Sequence, residues 1–270
     1  MADEPAKTLD AQIIDAVLVN GELEVLGRLV DASNATLLTI ARLDGVELQC
    51  VYKPTAGERP LWDFPDGDLA KREVATFELS QALGWSLIPR TKMRADGPYG
   101  GGMVQQWIDV DTDVDLVDVV APDAVPEGWL SVLEARDGDD NPVVLVHADR
   151  PELQQLTLLD AIANNGDRKG GHVIISEDHQ VFGIDHGVTW HAEDKLRTVL
   201  WGWTDADLPD DLLADVTLLL AGWAGFAATL SDLLPAQEVE AAHLRIAALA
   251  ARKKFPLPSP EWPAIPWPVF

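Results

Sequence analysis

Cations are scarce in this chain. Across 270 residues Lys and Arg number 20 against 45 Asp and Glu, a net charge of -25. That deficit excludes a large nucleic-acid footprint, because phosphate binding needs clustered cations. It also disfavours stable association with an anionic membrane, where basic residues supply the attraction. A local basic pocket for a small anion survives this argument. Cysteine is nearly absent: Cys50 stands alone, so no intrachain disulfide can form and a zinc-thiolate site is disfavoured. No apolar run reaches the ~18 residues needed to span a bilayer. The opening MADEPAKTLD is acidic and polar, unlike a secretion signal. A soluble protein of the reducing cytoplasm is the expectation.

What is present suffices for a core. Hydrophobic residues make up 47% and charged residues 24%, ordinary values for a globular chain. At ~150 residues per domain the length fits two units or one bilobal one. Leu9 to Asn20 reads as a lead-in helix or strand. Leu23 to Val30, Ala35 to Leu43 and Val46 to Lys53 read as three strands, separated by Asp31-Ala32-Ser33-Asn34 and by the Asp44-Gly45 turn. After a Pro- and Gly-bearing loop, Leu69, Val74, Phe77 and Leu83 share one face of a helix, with Asp68 as N-cap and Gly84 as stop. Trp85 to Arg94 and Gly102 to Ile108 complete a five-stranded antiparallel sheet.

The second part reads differently. Asp109 to Asp118 holds five aspartates and no cation, the pattern of a solvated face. Residues 121–152, with four prolines, read as loop-rich around one apolar stretch, Val143 to Val146. Helical spacing begins at Leu153. A hairpin follows, Val173 to Ile175 and Val181 to Ile184. Two further helical stretches precede a tail, Phe255 to Phe270, with six prolines and two tryptophans. His147 reads as a surface residue, Cys50 as a small buried strand residue, and Trp201 and Trp203 as core.

Three short segments carry chemistry. Lys53 ends the third strand, where a fixed positive charge can reach phosphate oxygens; a lone strand lysine is otherwise usually solvated. Asn164-Asn165-Gly166-Asp167-Arg168-Lys169-Gly170-Gly171-His172 follows a helix. A carboxylate on such a loop suits acceptance of a proton from an attacking hydroxyl, and the same composition also makes ordinary turns. Gly183-Ile184-Asp185-His186-Gly187 closes the hairpin, and a carboxylate at a strand end suits a hard divalent cation. Asp167 and His172 stand five positions apart. Kinases space a catalytic-loop Asp and a metal-binding Asn in the same way, ahead of a second metal-binding Asp.

In this order the segments resemble the atypical kinases related to phosphatidylinositol 3- and 4-kinases, and most closely an actinobacterial PI3/PI4-kinase-like family. Asp167-Arg168-Lys169-Gly170-Gly171-His172 is similar to their catalytic loop, and Ile184-Asp185-His186-Gly187 to their metal motif. Val51-Tyr52-Lys53-Pro54 is similar to their lysine strand, Arg72-Glu73-Val74-Ala75 to their glutamate helix, and Ser33-Asn34-Ala35-Thr36 to their nucleotide loop. The resemblance covers about residues 21–200.

It implies an α+β, bilobal protein-kinase-like fold. An antiparallel sheet with one helix forms an N-lobe over 1–107, and a mainly helical C-lobe spans 108–270. It further implies ATP and Mg²⁺ or Mn²⁺ as cofactors. Ser33, Asn34, Lys53, Glu73 and the hinge residues Gln106, Trp107 and Ile108 would hold the nucleotide. Asp167 would be the base, with Arg168 and Lys169 contacting phosphate or bracing the loop, and Asp185 and His172 would hold the metal. The implied reaction is phosphoryl transfer to a protein hydroxyl, including its own, or to a small cytosolic acceptor. Three departures stand out: His172 takes the metal-asparagine position, Lys169 replaces a loop histidine, and no G-x-G-x-x-G precedes Ser33. A nucleotide-binding pseudokinase scaffold and an AMP transferase remain the alternatives on the same site.

Overall fold

The computed structural model describes residues 9–29, 35–58, 61, 64 and 68–270. By internal packing these fall into two compact units, one within Met1–Ala70 and Arg90–Trp107, the other formed by Lys71–Pro89 and Ile108–Phe270.

The first unit opens with α1 (Ala11–Asn20), a helix. Asp10 caps it by accepting from the Gln12 amide. Then come β1 (Glu22–Arg28), β2 (Leu37–Leu43) and β3 (Val46–Pro54), the start of helix α2 (Leu69–Ala82), and β4 (Thr91–Arg94) and β5 (Gly102–Gln106). The strands form one antiparallel sheet in the order β1-β2-β3-β5-β4. Alternation along β3 sends Cys50 and Tyr52 to a buried face, with Ile14, Val17 and Leu18 of α1 and Leu37, Ala41 and Val104 of the sheet. Lys53, out of phase with that set, belongs to the opposite face. Asp44 and Gly45 both take positive φ in the β2–β3 turn, the geometry that a two-residue hairpin needs.

The strand expected over Trp85 to Arg94 is shorter than predicted. Trp85, Leu87 and Ile88 are buried in the core of the second unit, and Pro89 lacks the N–H a ladder requires. Residues 71–89 group with that unit through specific bonds. Arg72 forms a bidentate pair with Glu238 at 2.8 and 3.0 Å, and the Trp85 indole donates to Asp215 at 2.8 Å.

The second unit continues with β6 (Val117–Val120), β7 (Trp129–Arg136), β8 (Pro142–Ala148), α3 (Pro151–Ala163), β9 (Val173–Ile175), β10 (Val181–Gly183), α4 (Asp210–Ala221), α5 (Trp223–Leu230) and α6 (Ala236–Arg252). The region predicted as loop-rich instead holds a three-stranded antiparallel sheet, β6-β8-β7. Pro142 is tolerated as the first residue of β8, and the exposed, polar face of β7 hid the strand from a hydrophobic reading. His147, predicted at the surface, is fully buried. Its Nδ1 pairs with the Ala148 carbonyl at 3.0 Å, and its Nε2 accepts from the Gly202 amide at 3.0 Å. Trp201 and Trp203 are core, as expected. Helix α3 is buried from Leu156 to Ala163 without interruption, the signature of a central helix. No single helix is long and apolar enough to cross a membrane, among the described residues. The fold is of the expected α+β class, with a five-stranded antiparallel sheet in the first unit and most of the helices in the second.

Candidate active site

The loop Asn164–His172 leaves α3 through Asn164, which adopts the left-handed conformation. Asn164 closes the turn with its side chain: Oδ1 accepts from the Lys195 amide, and Nδ2 donates to the His191 and Glu193 carbonyls. Asn165 Nδ2 donates to Asp160 at 2.9 Å, and its Oδ1 accepts from the Asp167 amide at 2.9 Å. The loop backbone is pinned on its other side by residues 188–199. Gly166 donates to the Val188 carbonyl, Arg168 to the Arg197 carbonyl, and Val199 to the Arg168 carbonyl.

Arg168 is the buried centre of this loop. Its side chain is wholly inaccessible and makes a bidentate pair with Asp160 of α3, Nε to Oδ2 at 2.9 Å and Nη2 to Oδ1 at 2.8 Å. Nη1 donates to the carbonyls of His172 and Ile184 at 3.2 and 3.0 Å. Nη2 also meets His186 Nε2, which must accept, because a guanidinium only donates. One arginine thereby ties the end of the catalytic-type loop to the end of the β9–β10 hairpin. Of its two expected roles, this geometry is that of a brace.

The brace brings Asp167, Lys169, His172 and Asp185 into one cluster. Lys169 Nζ lies 3.4 Å from Asp167 Oδ2. Burial pushes the Asp167 carboxyl above its ordinary range, with Lys169 and His172 opposing the shift. Burial pushes His172 down, against the pull of Asp185, and so favours the neutral ring. Asp185 follows β10 with φ 58°, which turns its carboxylate back toward the loop. Its Oδ2 lies 3.6 Å from His172 Nε2. That gap is long for a hydrogen bond, and the pair offers one nitrogen and one carboxylate donor that could hold a divalent ion. Nδ1 of His172 is buried and has no protein hydrogen-bond partner. Among the described residues, no three His, Cys, Asp or Glu side chains form a preformed metal cage. Two protein ligands are what a Mg²⁺-type site needs when phosphate oxygens and waters complete it.

The remaining predicted residues are on other elements. Lys53 is on β3 in the first unit, and Glu73, buried, is on the part of α2 that belongs to the second. The Gln106 and Trp107 amides donate to the Arg90 and Gln49 carbonyls within the first unit. Ile108 begins the second unit. Ser33 and Asn34 lie outside the described residues.

The sequence reading passed over Asp160 and Asn165 and left His186 undecided. Asp160 carried a signal: an aspartate within the apolar stretch Leu158-Leu159-Asp160-Ala161-Ile162 needs a partner if that stretch is buried.

No protein-family model matches the chain. Protein Rv2133c of Mycobacterium tuberculosis is 46% identical over 265 residues, covering 94% of this chain and 95% of that one. The chain belongs to the Rv2133c family. Among solved structures, the Helicobacter pylori proinflammatory kinase CtkA aligns with a TM-score of 0.47 at 10% identity, over 88% of this chain and 94% of that one. In this member of the Rv2133c family, the braced loop and the end of the β9–β10 hairpin together bring two carboxylates, an imidazole and an ammonium into one cluster.

Proposed function

We propose that the chain is an ATP-dependent phosphotransferase of the atypical, PI3/PI4-kinase-like kind. Its acceptor is a protein hydroxyl, including its own, or a small cytosolic molecule. The observation that carries this reading is the Arg168 brace, which joins Asp167, His172 and Asp185 in the order of kinase motifs. The acceptor oxygen attacks the γ-phosphorus of ATP. A new O–P bond forms as the bond to the β,γ-bridging oxygen breaks, and ADP leaves with that electron pair. The acceptor proton passes to the Asp167 carboxylate, whose raised pKa makes it a better base than an exposed aspartate. Asp185 and His172 are the residues that would hold a divalent ion, and such an ion would supply neutralisation of charge on the phosphate oxygens. Imidazole suits Mn²⁺ better than Mg²⁺. By the kinase resemblance, phosphate binding is the role proposed for Lys53, Glu73, Ser33 and Asn34. Gln106, Trp107 and Ile108 are the residues proposed to meet adenine, and the Gln106 and Trp107 amides are already engaged within the first unit. The charge of -25 disfavours a membrane lipid as acceptor.

A second reading, a nucleotide-binding pseudokinase, draws on the Lys169–Asp167 ion pair, which occupies the base. The test is transfer from ATP labelled on the γ-phosphate, and separately on the α-phosphate, to the chain itself and to protein and small-molecule acceptors. Wild type should transfer γ-label with Mn²⁺ and lose it in Asp167→Asn. Transfer of α-label alone means AMP transfer. A nucleotide-dependent rise in melting temperature with no transfer means the pseudokinase.

A further inference from the structure

The Pro- and Trp-rich tail returns to the Asn164–His172 loop. Val269 accepts a hydrogen bond from the Gly170 amide at 2.8 Å. The Phe270 ring lies directly on Gly170: a Cβ built there would stand 2.2 Å from the ring's Cε1. Gly170 has no positive φ, so its backbone does not require glycine. A methyl there would push the Phe270 ring, itself 52% exposed, off the loop. This explains a glycine where the kinase pattern has no need of one.

The same tail grips the strand that pins the loop from its other side. The Ala264 carbonyl accepts from the Thr198 amide at 3.0 Å and from the Trp201 indole at 2.8 Å. Lys195 Nζ sits 3.7 Å above the Trp262 ring, with Arg197 beyond it at 5.7 Å. Arg197 also donates to the Gly166 carbonyl. Residues 166–170 are therefore held between the 195–199 segment and the tail, and the tail binds both.

We infer that the tail is a strap built into the active site, and that Val269 and Phe270 are positioning residues for Asp167 and His172. This inference rests on the transferase reading for its consequence on rate, though not for its consequence on the loop. Asp167 and His172 flank Gly170 by three and two positions. A loop freed at Gly170 shifts both the base and a metal ligand by distances to which phosphoryl transfer is sensitive. Nucleotide affinity, set largely by other residues, changes little.

The experiment uses the full-length chain and has two readouts. Hydrogen–deuterium exchange of the 166–172 segment, without nucleotide, reports the strap itself. Phe270→Ala should speed exchange there. Gly170→Ala, which drives a methyl into the ring, should do the same, and the double variant Gly170→Ala/Phe270→Ala should add little to either. Trp267→Ala, in the same tail but with its ring 86% exposed, should leave exchange at the wild-type rate. In transfer assays with Mn²⁺ and ATP, Phe270→Ala should lower kcat by roughly tenfold or more with the KM for ATP near wild type, and Phe270→Tyr should restore it. Unchanged exchange in both Phe270→Ala and Gly170→Ala overturns the strap. Faster exchange with unchanged kcat overturns the positioning role. If wild type transfers nothing while Phe270→Ala loosens the loop, the strap stands and the transferase reading falls.

Discussion

The Arg168 guanidinium and the Asp160 carboxylate face each other in a bidentate pair that no solvent reaches. Two charges in that setting are kept by each other and by the Asn165, His172, Ile184 and His186 contacts around them. Asp160→Ala would strand the arginine in the core. We expect a loss of about 3–5 kcal/mol, the usual cost of breaking a buried pair by removing one partner, read as a fall in the urea midpoint. Arg168→Lys should also destabilise, because a lysine cannot reproduce the planar fork. A surface-like cost for Asp160→Ala would contradict the geometry.

Asp167→Asn tests the base. The substitution keeps size and much of the hydrogen bonding, and the loop is held chiefly through Arg168 and Asn165. The variant should fold and still show an ATP-dependent rise in melting temperature, with transfer reduced by ~10²-fold or more. An unfolded variant would mark Asp167 as a structural turn residue.

Asp185→Asn should act on binding. Losing the carboxylate charge weakens a hard divalent ion's hold, so titration with Mn²⁺ and ATP should show a weaker apparent Kd, whatever happens to the rate. His172→Asn should shift preference toward Mg²⁺, because an oxygen ligand replaces nitrogen. An unchanged Mn²⁺/Mg²⁺ ratio would remove His172 from the metal.

His147 makes stability depend on pH. Burial depresses its pKa below the ordinary 6.5, opposed by the Ala148 carbonyl and Asp149. Protonation would also set a second N–H at Nε2 against the Gly202 amide. The unfolded chain therefore binds this proton more readily than the folded one. The contribution is present above pH 6.5 and is lost as pH falls through the depressed value. Denaturation midpoints of wild type should drop on acidification below about 6.5, and His147→Gln should flatten that part of the profile. A parallel drop in both proteins would assign it to other groups.

Much of this protein was legible in its sequence because the signals are local. The period-2 burial of Cys50 and Tyr52, the Asp44-Gly45 turn, the 3–4 spacing of Leu153, Leu156, Leu159 and Ile162 in α3 and the spacing of Asp167, His172 and Asp185 depend on residues near one another. Backbone geometry alone turns such patterns into strands, turns and helices. The β6-β8-β7 sheet was missed because edge strands with polar outer faces and prolines at their ends look like loop. His147 was misplaced because nothing near it in sequence announces the Gly202 amide that accommodates it. The Arg168 anchor on Asp160, the Arg72–Glu238 pair and the seating of Phe270 on Gly170 join residues from 8 to 166 positions apart. Such contacts form only when the whole unit packs, since a buried charge or a ring against a glycine finds its partner in three dimensions.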